Sequence, residues 1–250
     1  MFSTTRSDDA PPIDLLRDAS LFLDFDGTVV EIAERPDAVL VSERLGNVME
    51  TLLDRLEGRV AVISGRPAAQ ITALLDKPII VVGSHGLEFD GSVARLGSPA
   101  RPAELAEALA AMNQLAADRP GLMVEDKPFG VALHFRQLPT SEAECHDLAS
   151  ELARKHRLHL QPGKMMVEVR AGGGDKGTAI RTLMREPELA DRRPVFMGDD
   201  LTDEPGFLAA AQLGGAGILV GEQRESAAHF RLNGVEAALA WLEAASVQVA

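Results

Sequence analysis

Short apolar runs alternate with helix-period stripes along the N-terminal part of this chain, and that alternation admits few folds. The run Leu21-Phe22-Leu23 is followed by Leu45, Val48, Met49, Leu52, Leu53 and Leu56, spaced by threes and fours like one face of an amphipathic helix. Residues 60–63 predict the next strand. Ser64-Gly65-Arg66-Pro67 then turns into a helix, with Pro67 at its favoured first position and Ile71, Leu74 and Leu75 facing inward, and residues 79–82 predict a further strand. Strands alternating with helices imply parallel βαβ units, so this segment is expected to be one half of a doubly wound sheet whose active edge is the strand C-termini.

The texture changes at Gly97-Ser98-Pro99-Ala100-Arg101-Pro102, where small residues and prolines suit a linker. Beyond it the pattern reads helix (103–117), strand (122–125), strand (130–136), helix (141–155), strand (158–161) and strand (165–170). This αββαββ order suggests an antiparallel sheet with helices on one face. Ala171-Gly172-Gly173-Gly174 returns the chain to the α/β pattern, with a helix at 176–185, a strand at 195–198, a helix at 203–211 and a strand at 218–220. The expected architecture is therefore an α/β, doubly wound parallel-sheet core from residues 19–100 and 171–250, with an inserted α+β cap domain over 101–170. Residues 1–18 are polar, with Asp8-Asp9 and Pro11-Pro12, and read as a flexible tail that is neither signal peptide nor membrane span.

Charge and cysteine content narrow the function classes. A net charge of -13 without a Lys/Arg stripe argues against a nucleic-acid or anionic-membrane partner. The one cysteine, Cys145, permits no internal disulfide, which suits a reducing, cytoplasmic compartment, and it reads as a small helical residue.

The chemistry concentrates in the loops that follow the core strands. Asp24 and Asp26 are two residues apart at the end of an apolar strand, so they leave the sheet side by side. Two such carboxylates repel, and a site that keeps them needs a cation, a shared proton, or a division of labour between nucleophile and acid/base. The other loops are Ser64-Gly65-Arg66, Asp175-Lys176-Gly177 and Gly198-Asp199-Asp200-Leu201-Thr202-Asp203-Glu204. A hydroxyl, an ammonium and an excess of acids suit a phosphoryl group with Mg²⁺, the hard cation neutralising Asp24, Asp26 and Asp199 while Ser64 and Lys176 hold the transferring oxygens. Arg66 and backbone N–H groups near helix N-termini would add to the local positive field. A competing reading is a dinucleotide enzyme, because Gly172-Gly173-Gly174-Asp175-Lys176-Gly177 satisfies the GxGxxG pattern. That pattern belongs to the first βα turn, whereas here it follows the inserted domain, and it sets Asp175 where pyrophosphate would approach.

In their order these loops resemble the haloacid dehalogenase (HAD) superfamily of phosphohydrolases. The resemblance implies that Asp24 is the nucleophile, forming an aspartyl-phosphate, and that Asp26 protonates the leaving oxygen and then deprotonates the attacking water. It implies phosphate binding by Ser64 and Lys176. Mg²⁺ would be held by the Asp24 carboxylate, the Asp26 carbonyl and Asp199, with Asp203 acting at one remove from the ion.

Further segments, Gly83-Ser84-His85-Gly86-Leu87-Glu88, Glu125-Asp126-Lys127-Pro128-Phe129-Gly130, His134-Phe135-Arg136 and Gly163-Lys164-Met165-Met166-Val167-Glu168, resemble the trehalose-6-phosphate phosphatases. That likeness implies Mg²⁺-dependent hydrolysis of trehalose 6-phosphate in trehalose biosynthesis, with the cap closing over the core. Glu125, Lys127, Arg136, Lys164 and Glu168 match positions that bind sugar hydroxyls, and Arg66 and His85 join the substrate-binding set. Carboxylates accept and Lys/Arg donate, so alternating acid and base can read both sides of a vicinal diol. Other readings are a phosphatase or phosphomutase for a different sugar phosphate, and a non-catalytic sugar-phosphate sensor. His85 and His134 lack partners at metal-ligand spacing, so no zinc site is expected. His156 and His159 read as a solvated helix end.

Overall fold

The computed structural model describes residues 9–33 and 38–248. The chain divides into two compact units, Ser98–Gly174 and the residues on either side of it. Ser98, Pro99 and Ala100, expected in the core, fall with the inserted unit, as do residues 171–174.

In chain order the outer unit begins with β1 (Ala19–Leu23), α1 (Glu43–Arg55), β2 (Val60–Ile63), α2 (Ala68–Leu75), β3 (Ile80–Gly83) and β4 (Glu88–Asp90). The inserted unit follows with α3 (Leu105–Asp118), β5 (Met123–Lys127), β6 (Gly130–His134), α4 (Glu142–His156), β7 (His159–Gly163) and β8 (Met166–Arg170). The chain then returns through α5 (Lys176–Leu183), α6 (Pro187–Ala190), β9 (Arg193–Gly198), α7 (Glu204–Gln212), β10 (Ala216–Val220), β11 (Phe230–Leu232) and α8 (Val235–Val247).

The outer unit's strands form one sheet in the order β11-β10-β9-β1-β2-β3-β4, parallel throughout except for the antiparallel β3–β4 pair. Alternate residues of each strand feed opposite layers. Leu21, Leu23, Val60 and Val62 pack with Leu45, Met49 and Leu52 of α1 and Leu242 of α8; Phe22, Ala61, Ile63 and Phe196 pack with Ile180 and Leu183 of α5 and Phe207 of α7. Burial on both faces is why these strands read as unbroken apolar runs. Strand order reverses at β1, which lies between β2 and β9, and a doubly wound sheet opens its binding crevice at such a point.

Residues 9–18 do not form the expected loose tail. Ile13–Leu16 is a short 3₁₀ turn, Leu16 is fully buried, and the Trp241 indole N–H donates to the Pro11 carbonyl at 2.9 Å. A buried indole needs an acceptor, and this segment provides it. Residues 1–8 of that expectation lie outside the described residues. Among the described residues no helix is long and apolar enough to cross a membrane.

The inserted unit is a four-stranded antiparallel sheet, β5-β6-β8-β7. Val131, Leu133, Val167 and Val169 pack against Leu105, Ala108 and Met112 of α3 and Cys145, Ala149 and Leu152 of α4. Both helices therefore cover one face. The register sets Glu125 and Glu168 on either side of Ala132, and Lys127 and Arg170 on either side of Gly130, on the opposite face. The solvated reading of His156 fails: its side chain is 7% exposed, with Nε2 3.4 Å from Glu107 Oε2. His159 opens β7.

Candidate active site

Asp24 is the first residue past β1, and its backbone N–H donates to the Met197 carbonyl of β9 at 2.8 Å. The chain then turns sharply, with the N–H groups of Val29 and Val30 donating to Phe25 O and Gly27 N–H to Val30 O. Gly27 has φ +80, and a Cβ there would overlap the Asp199 carboxylate. Glycine is needed twice over, for the backbone conformation and for the approach of the acidic loop.

Asp24 belongs to a hydrogen-bonded acid–base chain. Lys176, the first residue of α5, donates from Nζ to Asp24 Oδ1 at 2.7 Å and to Asp203 Oδ1 at 2.6 Å. Asp203 Oδ2 accepts the backbone N–H groups of Asp199 and Asp200, each at 2.9 Å. All three side chains are buried. Asp175 caps α5 by accepting Thr178 N–H at 2.6 Å, which fixes the helix start and with it Lys176.

Asp24, Asp199 and Asp203 each offer an oxygen, all within 4.8 Å of one another. Burial pushes Asp24 well above the usual carboxylate range; Lys176 opposes the rise, and Asp203 and Asp199 add to it. Asp199 is pushed up to about 6, chiefly by burial and then by Asp203. Burial alone would depress the Lys176 ammonium, but Asp203 and Asp24 outweigh it and hold the group above its ordinary value. One lysine is therefore insufficient to balance these acids, and an all-oxygen donor set of this kind fits a hard divalent cation. Asp203 is near enough to be a ligand, yet its oxygens already accept three hydrogen bonds, so Asp24 and Asp199 are the better donors.

Asp26 is paired differently. Arg66 grips it with Nε at 2.6 Å and Nη2 at 2.7 Å, a bidentate contact. The Arg66 backbone N–H donates to Ser64 Oγ at 3.1 Å, and its guanidinium stands 6.0 Å over the Phe25 ring. Ser64 is buried at the end of β2, and its carbonyl accepts the His85 N–H at 3.0 Å. Ser84 and His85 have φ +46 and +55, left-handed values that non-glycine residues rarely adopt. They bring the imidazole against Gly65, where a Cβ would come within 2.6 Å of the ring.

The outer unit thus gathers Asp24, Asp26, Ser64, Arg66, His85, Lys176, Asp199 and Asp203 on its strand ends. In the inserted unit, Lys127 Nζ donates to Glu168 Oε2 at 2.7 Å, both being buried, and His134 Nε2 lies 2.8 Å from Glu125 Oε2. Arg136 Nη2 donates to the Lys164 carbonyl at 3.3 Å. Two features escaped the sequence reading. The Arg66–Asp26 pair joins loops 40 residues apart, which no local pattern reports. Arg224 pairs with Glu204 and donates to the Asp200 carbonyl at 2.8 Å, bracing the acidic loop from a segment without a motif.

The trehalose-phosphatase family model matches residues 22–236. The chain is 35% identical over 226 residues to trehalose-6-phosphate phosphatase of Escherichia coli (strain K12), covering 89% of this chain and 84% of that protein. It is 34% identical over 207 residues to a probable trehalose-phosphate phosphatase of Sinorhizobium fredii (strain NBRC 101917 / NGR234), covering 81% and 77%. Among solved structures, the C-terminal domain of C. albicans trehalose-6-phosphate phosphatase matches with a TM-score of 0.80 at 22% identity, over 96% of this chain and 98% of that one. That structural likeness speaks for the fold.

Proposed function

The chain belongs to the trehalose-phosphatase family, on a haloacid dehalogenase-type α/β core, and from that premise we propose that it hydrolyses trehalose 6-phosphate to trehalose and phosphate, with Mg²⁺ as cofactor and Asp24 as nucleophile. The observation that carries this reading is Asp24 at the C-terminal end of the central strand, 2.7 Å from Lys176 and beside Asp199 and Asp203.

In the first step, with Asp26 released from Arg66 and protonated from solvent, an Asp24 oxygen attacks phosphorus, the bond from phosphorus to the sugar oxygen breaks, and Asp26 delivers its proton to that oxygen. In the second, Asp26 takes a proton from water as the water oxygen attacks the phosphorus of the aspartyl-phosphate, releasing phosphate and restoring the Asp24 carboxylate. Lys176 and the Ser64 hydroxyl hold phosphoryl oxygens as charge develops on them. Arg66 keeps the Asp26 carboxylate in place at rest, and the guanidinium must loosen its bidentate grip for a proton to pass through that carboxylate. A divalent cation held by Asp24, Asp199 and the Asp26 carbonyl would neutralise the acids and draw charge from the phosphoryl oxygens. Asp203 positions rather than ligates, fixing Lys176 through one oxygen and the Asp199 and Asp200 peptides through the other. Glu125, Lys127, Arg136, Lys164 and Glu168 would bind sugar hydroxyls, and His85 would contact substrate beside Ser64. We place the reaction in the cytoplasm, in keeping with the lone, buried Cys145, and the net charge of -13 argues against nucleic-acid or membrane partners.

Phosphate release from a panel of sugar phosphates, with EDTA or Mg²⁺, tests this reading. Trehalose 6-phosphate should be the best substrate, chelation should silence the enzyme, and Asp24→Asn should abolish turnover with a native circular dichroism spectrum. Turnover by purified Asp24→Asn near the wild-type rate would remove Asp24 from the mechanism, and preference for another sugar phosphate would reassign the substrate.

A further inference from the structure

Two acids on the helix-free face of the inserted unit's sheet are each held by a base. Lys127 holds Glu168; His134, which is not among the sugar-binding residues proposed above, holds Glu125. The central strand β6 presents Gly130, Ala132 and His134 to that face. A Cβ at Gly130 would overlap the Glu168 carboxylate, so the Lys127–Glu168 pair lies across the bare backbone there. Ala132, between Glu125 and Glu168 in the register, adds only a methyl group. His134 is the first large side chain along that face of β6, and its Nε2 meets Glu125 Oε2 at 2.8 Å with the side chains 18% and 24% exposed.

We propose that His134 is a positioning residue: it donates from Nε2 to the partly exposed Glu125 and holds that carboxylate in the orientation that accepts from a sugar hydroxyl. Both the neutral Nε2–H tautomer and the imidazolium can donate this bond. Fixing the Glu125 carboxylate at Oε2 before the sugar arrives lowers the ordering cost that binding would otherwise carry. The inference rests on the sugar-phosphatase reading.

The test is the KM and kcat of His134→Ala, His134→Gln, Glu125→Ala and the double alanine variant on trehalose 6-phosphate, each checked for a wild-type melting transition. His134→Ala should raise KM roughly tenfold, the scale of one lost hydrogen bond to a charged group, with kcat within about twofold. His134→Gln has an amide nitrogen that reaches the Nε2 position and should restore most of the affinity. Adding His134→Ala to Glu125→Ala should cost nothing further, because His134 acts through Glu125. An unchanged KM in His134→Ala, a folded glutamine variant without rescue, effects that multiply in the double variant, or a silent Glu125→Ala would each overturn the proposal. If His134→Ala melts early, His134→Leu takes its place against the glutamine variant. If the wild type releases no phosphate from trehalose 6-phosphate, the substrate reading fails separately, and the same cycle is run on the sugar phosphate it cleaves best.

Discussion

A buried carboxylate beside two others stays ionised only through what surrounds it, and here the surroundings include one lysine, the Thr28 hydroxyl and a few peptide N–H groups. Burial, and then Asp203, push Asp199 up to about 6, and burial raises Asp24 as well. Between about pH 4 and pH 6 the native state therefore holds more protons than the unfolded chain, so these groups make the metal-free protein less stable as pH rises through that window. A divalent cation held by the same oxygens, as proposed, would compete with those protons. Mg²⁺ should accordingly raise the melting temperature more at about pH 7.5 than at about pH 5, read by differential scanning calorimetry in matched buffers. Equal increments at both values would mean that the cation binds elsewhere.

Glycine placement carries the same logic to the elements. On β6, Gly130 is not needed for its backbone conformation but for what lies above it: a methyl there would displace the Glu168 carboxylate and press on Arg170 Cβ at 3.1 Å. The Glu168 carboxylate is the far end of a flexible side chain and can swing away, so Gly130→Ala should leave the melting temperature within a few degrees while raising KM for trehalose 6-phosphate severalfold. Loss of fold with no change in the KM of the remaining active enzyme would count against this account. The alternation of strand and helix that places β6 was legible because each element's period survives in its apolar residues, and β2 agrees with its expected bounds. Other elements were not legible. The three residues of β4, Glu88-Phe89-Asp90, pair antiparallel at the sheet edge with a single apolar side chain, too short to show a period. Three-residue β11 has the same defect. In α8, by contrast, Val235, Ala238, Leu239, Leu242 and Ala245 do recur at helical steps, and the sequence reading simply ended before them. The loops of the candidate site were legible because each one packs several chemical groups into a few residues; Arg224 was not, since its contact to Asp200 exists only after folding.

At the scale of the molecule the two units divide the chemistry. The outer unit holds Asp24, Asp26, Lys176 and the acidic cluster, to which the proposal assigns bond cleavage, and the inserted unit holds a sheet face of paired acids and bases. The net charge of -13 repels a phosphomonoester at long range, so affinity must come from local groups; on the proposed reading these are Lys176 and Ser64 for the phosphate and the inserted unit's paired acids and bases for the sugar. This division makes specificity separable from bond cleavage. If the inserted unit's residues bind the sugar as proposed, a substrate without the disaccharide, p-nitrophenyl phosphate, should not depend on them, whereas trehalose 6-phosphate should, and binding energy from the remote sugar is expressed in kcat/KM. Lys127→Ala and Glu168→Ala each remove a charged hydrogen-bonding partner from the proposed sugar-binding set, which should cost about 1.5–3 kcal/mol. That is on the order of tenfold to a hundredfold in kcat/KM for trehalose 6-phosphate, against little change for p-nitrophenyl phosphate. Because Lys127 and Glu168 also hold each other, with side chains 9% and 4% exposed, the two losses should overlap, and the double variant should be no worse than the product of the singles. A parallel fall on both substrates would mean that these residues serve the fold of the enzyme as a whole, and the inserted unit would lose its claim to specificity.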